Sequence, residues 1–277
     1  MEEIKAALYV VGTPIGNLGD MSQRAVEILK DVSFIAAEDT RVTVKLLNRF
    51  EIKKPMISYF EHNKAFKGDE IVSRILGGES CALVSDAGMP AISDPGETLV
   101  AQCAEAGIEV LAVLGPSAVT AALALSGLPT GRFTFEGFLS VNKKSRKEHL
   151  IDIKDEKRTM VFYEAPHKLR KTLRDLYEML GERRVALVRE ITKIHEEAIR
   201  INLSEAAVMY ASKEPKGEYV IVIEGAKEVE KCELTMDEAV KIAKELTEGG
   251  ISPSEAAKKA SKISGISKSD IYRQMMT

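Results

Sequence analysis

The chain lacks tryptophan and has only three cysteines in 277 residues, Cys81, Cys103 and Cys232. Cysteines so far apart do not form the short-spaced pairs of a zinc site, and an odd number of scattered thiols is typical of a reducing cytosol. We therefore expect no disulfide and no zinc.

Long apolar runs are also missing. No run reaches membrane-spanning length, and the N-terminus, Met-Glu-Glu-Ile-Lys, has no basic region followed by an apolar stretch. The sequence therefore predicts a cytoplasmic protein with no leader segment and no membrane partner.

An excess of positive charge is missing as well, because 39 basic side chains stand against 42 acidic ones and the formal net charge is -3. This balance argues against nucleic-acid binding through bulk charge, although a local basic patch can still bind RNA. With 45% apolar residues, the chain is long enough for two modest domains with real cores.

What the sequence does contain is a set of loops rich in glycine and proline. Three short apolar runs each lead into such a loop, at residues 12–20, 85–96 and 115–118. In an open α/β sheet, ligands bind outside the carboxyl ends of the strands, where loops of this kind lie. Taken singly, each loop is more simply explained as a strand terminator.

Apolar runs alternate with amphipathic segments along most of the chain, which predicts an α/β fold. Residues 1–115 predict a mainly parallel sheet with covering helices, including a strand at 56–60 and a helix at 69–76. Five further runs, from residue 133 to residue 224, predict a second α/β domain over 116–228.

A small helical module is predicted over residues 234–277. Three capping-box patterns, at Thr235, Ser252 and Ser267, open three helices. Ala256, Ala260 and Ile263 form an inward stripe on the second helix, and the arrangement resembles a helix-turn-helix. Its last part, residues 251–277, has five basic and two acidic side chains, a mild nucleic-acid signal. Packing or dimerisation remains the alternative role.

The three loops, together with Ala-Glu-Asp-Thr-Arg at residues 37–41, resemble the tetrapyrrole-methylase class (class III) of S-adenosylmethionine-dependent methyltransferases. The ribosomal branch of that class is most similar, and the resemblance runs from about residue 5 to the C-terminus. Further matching stretches lie at residues 59–63, 162–167, 189–193 and 217–219.

This resemblance implies two α/β domains with a cofactor cleft between them, S-adenosylmethionine as cofactor, and a homodimer. It also implies methylation of a cytidine ribose 2′-oxygen in the 16S ribosomal RNA of the small ribosomal subunit. By resemblance, the cofactor-binding residues are Pro14, Asp86, Ala87, Gly88, Met89, Ser117, Ala118, Tyr163 and Glu164.

The spacing of Gly12, Gly16 and Gly19 differs from that of a G-x-G-x-x-G motif, which argues against a dinucleotide-binding site in the first loop.

A ribose hydroxyl must lose its proton as the methyl group arrives, so a proton acceptor is useful. Our first catalytic candidates are Glu38, Asp39 and Arg41, which follow a predicted strand, and we expect Asp39 to act as the base or to position it. An Asp-Arg pair that merely caps the next helix is an equally good reading. His62 is a second candidate. Spacings typical of a metal site are missing, and we expect no metal.

Seven basic side chains are candidates for phosphate contacts: Lys143, Lys144, Arg146, Lys147, Arg170, Lys171 and Arg174. Solvated surface lysines are the commoner meaning of such a run. Two other functions remain open, a methyltransferase of small macrocycles such as precorrins and a non-catalytic RNA-binding factor of ribosome assembly.

Overall fold

A computed structural model describes residues 4–227 and 234–276. The chain divides into two compact units, the first ending at Ala226 and the second beginning at Lys227. Cys81 and Cys103 are buried free thiols, whereas Cys232 lies outside the described residues. Among the described residues, no helix is both long and apolar enough to cross a membrane.

The first sheet has five short strands in the order β3-β2-β4-β1-β5, and all its pairs are parallel. The strands are β1 (Leu8–Val11), β2 (Phe34–Ala37), β3 (Met56–Ser58), β4 (Cys81–Val84) and β5 (Val110–Val113). Helices α1 (Gln23–Asp31), α2 (Thr40–Arg49), α3 (Lys64–Leu76) and α4 (Gly96–Glu105) connect them. Buried apolar side chains form a core on each face, so the predicted parallel sheet with covering helices is confirmed.

Local signals explain where these elements begin. The Ser22 hydroxyl accepts the Ala25 N–H at 3.1 Å and caps α1. Helix α3 begins earlier than the predicted residue 69, and β3 is shorter than predicted. Both differences centre on Asn63, whose side chain accepts the Phe60 N–H and donates to the Ser58 carbonyl, which shapes a turn between strand and helix.

The second sheet also has five strands but is mixed, in the order β6-β7-β10-β8-β9. Its elements are α5 (Ala118–Ser126), β6 (Phe133–Phe138), α6 (Lys143–Asp152), β7 (Thr159–Glu164), α7 (Pro166–Leu180), β8 (Arg184–Arg189), β9 (Glu197–Asn202), α8 (Leu203–Ser212) and β10 (Tyr219–Ile223). Strand β6 is parallel to β7, whereas β10 is antiparallel to both β7 and β8. The start of β10 therefore lies at the same edge of the sheet as the ends of β7 and β8.

Both sheets belong to the first compact unit, and each has its own buried clusters. The domain boundary that we predict at residue 115 stays a prediction.

The second unit contains three helices in its described part, α9 (Met236–Glu248), α10 (Pro253–Ser264) and α11 (Lys268–Met275). Thr235 and Glu238 form the predicted capping box. The prediction of two more boxes is wrong, because Ser252 and Ser267 precede their helices without a side-chain cap bond among the described residues. The prediction that Ile263 belongs to the inward stripe is also wrong, since Ile263 is 60% exposed. The buried residues of this helix include Ala257 instead.

Candidate active site

The three glycine-containing loops meet at the carboxyl edge of the first sheet. Thr13 and Gly88 exchange two backbone hydrogen bonds, of 2.9 and 3.1 Å, and the Gly12 N–H donates to the Val113 carbonyl at 3.0 Å. A Cβ atom added to Gly12 would lie 2.6 Å from the Gly115 Cα atom. The loops therefore pack backbone against backbone, which requires glycine at both positions.

The second sheet turns one edge toward these loops. The Asn17 N–H donates to the Thr192 hydroxyl at 3.0 Å, and a Cβ atom on Gly16 would lie 2.7 Å from the Lys193 Cγ atom. Thr192 and Lys193 follow β8. The edge that carries the ends of β7 and β8 and the start of β10 thus faces the carboxyl edge of the first sheet.

A cavity of about 330 Å³ lies between the two edges, within the usual range for small-molecule sites. Eight of the nine predicted cofactor residues line it, and so does Glu38: Glu38, Asp86, Ala87, Gly88, Met89, Ser117, Ala118, Tyr163 and Glu164. Pro14, the ninth, lines a neighbouring cavity of about 350 Å³, which shares Ile15 and residues 85–87 with the first.

The first cavity is strongly acidic. Of the residues that the structure describes, one basic residue, Lys193, and six carboxyl-bearing residues line it: Glu38, Asp86, Asp94, Glu164, Glu190 and Glu218. Lys193 itself forms an ion pair with Glu190 at 3.0 Å. A cavity of this kind favours a cationic small molecule over a phosphate.

Three of these carboxyl groups have raised pKa values. Burial in the cavity wall is the main cause of the raised pKa of Glu38, of Asp86 and of Asp94. The Asp86 N–H donates to Glu38 Oε2 at 3.4 Å, and Asp86 Oδ1 accepts the Asp39 N–H at 3.1 Å. Glu38 is therefore held at the cavity as a carboxyl group that binds a proton more readily than a solvated one.

Asp39 and Arg41, by contrast, do not line either cavity in the described chain. Asp39 Oδ1 accepts the Arg41 N–H at 2.8 Å and so caps α2. The Arg41 guanidinium binds both Asp39 carboxylate oxygens, with Nη2 to Oδ2 at 2.6 Å, and these hydrogen bonds lower the pKa of Asp39 to about 2. The helix-capping reading of this pair matches the geometry, because a carboxylate with so low a pKa is a weak proton acceptor.

The remaining candidates lie elsewhere. His62 packs its ring edge-on against Phe60 at 6.3 Å and lines neither cavity. Within residues 4–227 and 234–276, no group of three or more His, Cys, Asp or Glu side chains is arranged to hold a metal ion.

Backbone strain concentrates around the cavity. Of the five described non-glycine residues with positive φ, Ala91, Ser93, Glu190 and Thr192 lie on its walls or next to them. For a β-branched residue such as Thr192, with φ of 66°, this conformation is a genuine outlier. Such conformations persist where the surrounding structure enforces them and are common at functional sites.

Sequence reasoning missed part of the wall. Glu190, Lys193 and Glu218 belong to the matching stretches, yet nothing in their spacing marks them as cavity residues. Phe138, whose ring lies 5.5 Å from that of Tyr163, belongs to no motif. Only the pairing of β6 with β7 brings its position to the cavity.

The predicted phosphate-binding residues at 143–147 divide into exposed and buried side chains. The segment that contains most of them is helix α6, whose Lys143, Lys144 and Lys147 are exposed. Arg146 on the same helix is buried and pairs with Asp175 at 2.7 Å, so its prediction as a phosphate contact is wrong. Its guanidinium points inward because α7 supplies a carboxylate there.

Comparison with known proteins agrees with this geometry. Residues 7–207 match the family model of the Tetrapyrrole (Corrin/Porphyrin) Methylases. The chain is similar to Ribosomal RNA small subunit methyltransferase I of Synechocystis sp., with 45% identity over 96% of each chain. It is similar to the protein of the same name from Thermotoga maritima, with 49% identity over 79% of this chain and 98% of the other. Among solved structures, the cobalt precorrin-4 methyltransferase CbiF has a TM-score of 0.56 at 18% identity, covering 79% of this chain and 95% of that one, which shows a shared fold.

Proposed function

Since this chain belongs to the tetrapyrrole methylase family, we propose that it transfers a methyl group from S-adenosylmethionine to the 2′-oxygen of a cytidine ribose in 16S ribosomal RNA. The relatives from Synechocystis sp. and Thermotoga maritima are named as methyltransferases of the small-subunit ribosomal RNA. The specific acceptor, a cytidine ribose, follows from the resemblance of the loop motifs.

The observation that carries the proposal is the acidic cavity between the two sheet edges. S-adenosylmethionine bears a positive sulfonium and an ammonium group, and the excess of carboxyl groups on the wall complements both. Backbone groups of residues 86–89 and the side chains of Ile15 and Met89 provide polar and apolar contacts for the adenosine part. When bound, the cofactor supplies an electrophilic methyl group.

We assign proton acceptance from the ribose hydroxyl to Glu38 rather than to Asp39. Glu38 lies on the cavity wall and its pKa is raised by burial, whereas Asp39 is ion-paired with Arg41, whose hydrogen bonds lower the pKa of Asp39 and make it a weaker base. A base whose pKa lies closer to neutrality is the more effective proton acceptor. Asp39 and Arg41 then act by fixing the start of α2 and, through the Asp39 N–H, the Asp86 carboxylate.

The RNA lies outside the acidic cavity except for the reacting nucleotide. The exposed lysines of α6 supply phosphate contacts, with the acceptor ribose inserted toward the donor. We further propose that the enzyme works as a homodimer in the cytoplasm.

The experiment is an incubation of the purified protein with radiolabelled S-adenosylmethionine and small ribosomal subunits that lack their native modifications. Nuclease digestion and mass spectrometry then locate the label, which we expect on a cytidine ribose. Calorimetric binding of the cofactor without any label on RNA points to another acceptor, such as a small macrocycle. No cofactor binding at all favours a non-catalytic RNA-binding role and contradicts the proposal.

A further inference from the structure

A buried chain of hydrogen bonds connects helix α6 to the cavity wall. Arg146 Nη2 donates to the Thr172 hydroxyl at 2.8 Å, and this hydroxyl donates in turn to Glu164 Oε2. The other oxygen of Glu164 accepts the Ala165 N–H at 2.8 Å. On the far side, Arg146 Nε donates to Asp175 Oδ2 at 2.7 Å.

All the central members of this chain are shielded from water. Arg146 is 6%, Thr172 1% and Glu164 2% exposed. A buried charge without partners is costly, so each group depends on the next for its hydrogen bonds. Thr172 is the connecting group, because its single hydroxyl serves the guanidinium as acceptor and the carboxylate as donor.

The chain ends at the place where β7 becomes α7. Glu164 is the last residue of β7, Ala165 precedes α7, and both line the cavity next to Tyr163. The Glu164 carboxylate holds the Ala165 N–H, which fixes the backbone of this junction. A shift of Glu164 would therefore move the cavity wall itself.

We propose that Arg146 and Thr172 are positioning residues for the donor site, which they order by holding the Glu164 carboxylate and thereby the backbone of residues 163–165. This inference rests on the proposed use of S-adenosylmethionine in that cavity. It gives the inward-turned arginine of a basic helix a role distinct from that of the exposed lysines beside it.

The test compares three threonine variants. Thr172→Val keeps the shape of the side chain and removes the hydroxyl, Thr172→Ser restores a hydroxyl, and Thr159→Val is the matched control. Thr159 is also buried, and it is the first residue of β7, the strand that ends at Glu164. Its hydroxyl donates to the Pro129 carbonyl at 2.6 Å, at the end of the strand away from the cavity. Calorimetry with S-adenosylmethionine measures the Kd of each full-length protein, and thermal unfolding measures its Tm.

We expect Thr172→Val to raise the Kd and the donor KM roughly tenfold, since a hydrogen bond to a charged group is lost, while kcat at saturating donor changes less than about twofold. Thr172→Ser restores most of the affinity. Thr159→Val and Thr172→Val lower the Tm by similar amounts, because each loses one buried hydroxyl, but Thr159→Val leaves the Kd unchanged. Arg146→Lys, which keeps the charge but lacks the planar fork, shifts the Kd in the same direction as Thr172→Val.

Equal Kd values for Thr172→Val and Thr159→Val would overturn this inference while leaving the proposed function intact. Failure of the unaltered protein to bind S-adenosylmethionine overturns both.

Discussion

The two sheets build opposite walls of one cavity by different means. The first sheet shapes its wall by close backbone packing, through loops in which Gly12 and Gly115 touch and Thr13 pairs with Gly88, and it also contributes the Glu38, Asp86 and Asp94 side chains. The second contributes larger side chains, such as Phe138 and Tyr163. Close backbone packing leaves a visible trace in the sequence, because it requires glycine, whereas contacts between side chains depend on strand pairings between distant residues.

Glu38→Gln tests this comparison with the largest expected effect. It leaves the backbone packing of the first wall in place and removes the one cavity carboxyl that we assign to proton acceptance. We expect kcat to fall by about 10²- to 10⁴-fold, the usual contribution of general base catalysis. The kcat/KM of the unaltered enzyme should also fall as the pH drops through the raised pKa of Glu38, and the variant should lose this dependence. Steady-state methylation kinetics across a pH series measure both.

The stability of the same variant provides its control. Because the folded pKa of Glu38 is raised, ionisation of this group opposes folding once the pH exceeds the ordinary pKa of about 4.3. Glu38→Gln should therefore be at least as stable as the unaltered protein at pH 7, with no advantage at pH 4. A larger loss of kcat in Asp39→Asn than in Glu38→Gln would reverse the assignment.

Much of the fold follows from local signals. The apolar runs at residues 8–11, 81–84 and 133–138 predict the strands β1, β4 and β6 with their observed bounds, and the family resemblance is confirmed. Their pairing order does not follow from such signals, since β10 comes last in the sequence of its sheet and lies at its centre. Similarly, the motif at residues 37–41 contains three candidate residues, but the burial of Glu38 and the pairing of Asp39 with Arg41 distinguish the two carboxyl groups, and both depend on the folded structure.

Gly12→Ala tests the backbone wall directly. A methyl group on Gly12 would lie 2.6 Å from the Gly115 Cα atom and 2.8 Å from its N atom, and this backbone cannot move aside as the nearby Met89 side chain can, so we expect a loss of about 3 kcal/mol in the free energy of unfolding. Urea denaturation measures it. The control is Gly131→Ala, because no atom outside the adjacent residues lies within 4 Å of a Cβ added there. We expect the free energy of unfolding of this variant to change by no more than about 0.5 kcal/mol. Equal effects at both positions would mean that the loops do not need close contact.

The exposed lysines of α6 test whether the second sheet also carries the RNA contacts. Replacing Lys143, Lys144 and Lys147 with alanine should weaken binding to a single-stranded 16S fragment and reduce the salt slope by about 2, if all three contact phosphates. Filter binding at several salt concentrations measures the slope. The control replaces Lys241 and Lys244 on α9, a net acidic helix, and should leave the slope unchanged.

The smallest effect is expected from Asp39→Asn on stability. Asparagine caps a helix about as well as aspartate, so the variant removes mainly the charge that Arg41 binds. Because the folded pKa of Asp39 is about 2, the charge stabilises the fold above the ordinary pKa of about 4 and ceases to do so as the pH falls toward 2. The unaltered protein should be slightly more stable than the variant at pH 7 and equal to it near pH 2, by urea denaturation.

The central position of β10 has a consequence for biosynthesis. Residues 218–220, at the start of this strand, line the cavity, and β7 and β8 meet only through it. A nascent chain that ends before Tyr219 lacks the strand that joins the two halves of its second sheet. The donor site is therefore completed only after nearly all of the first unit has been synthesised, and its formation awaits pairings between strands far apart in the chain, which are slow to form.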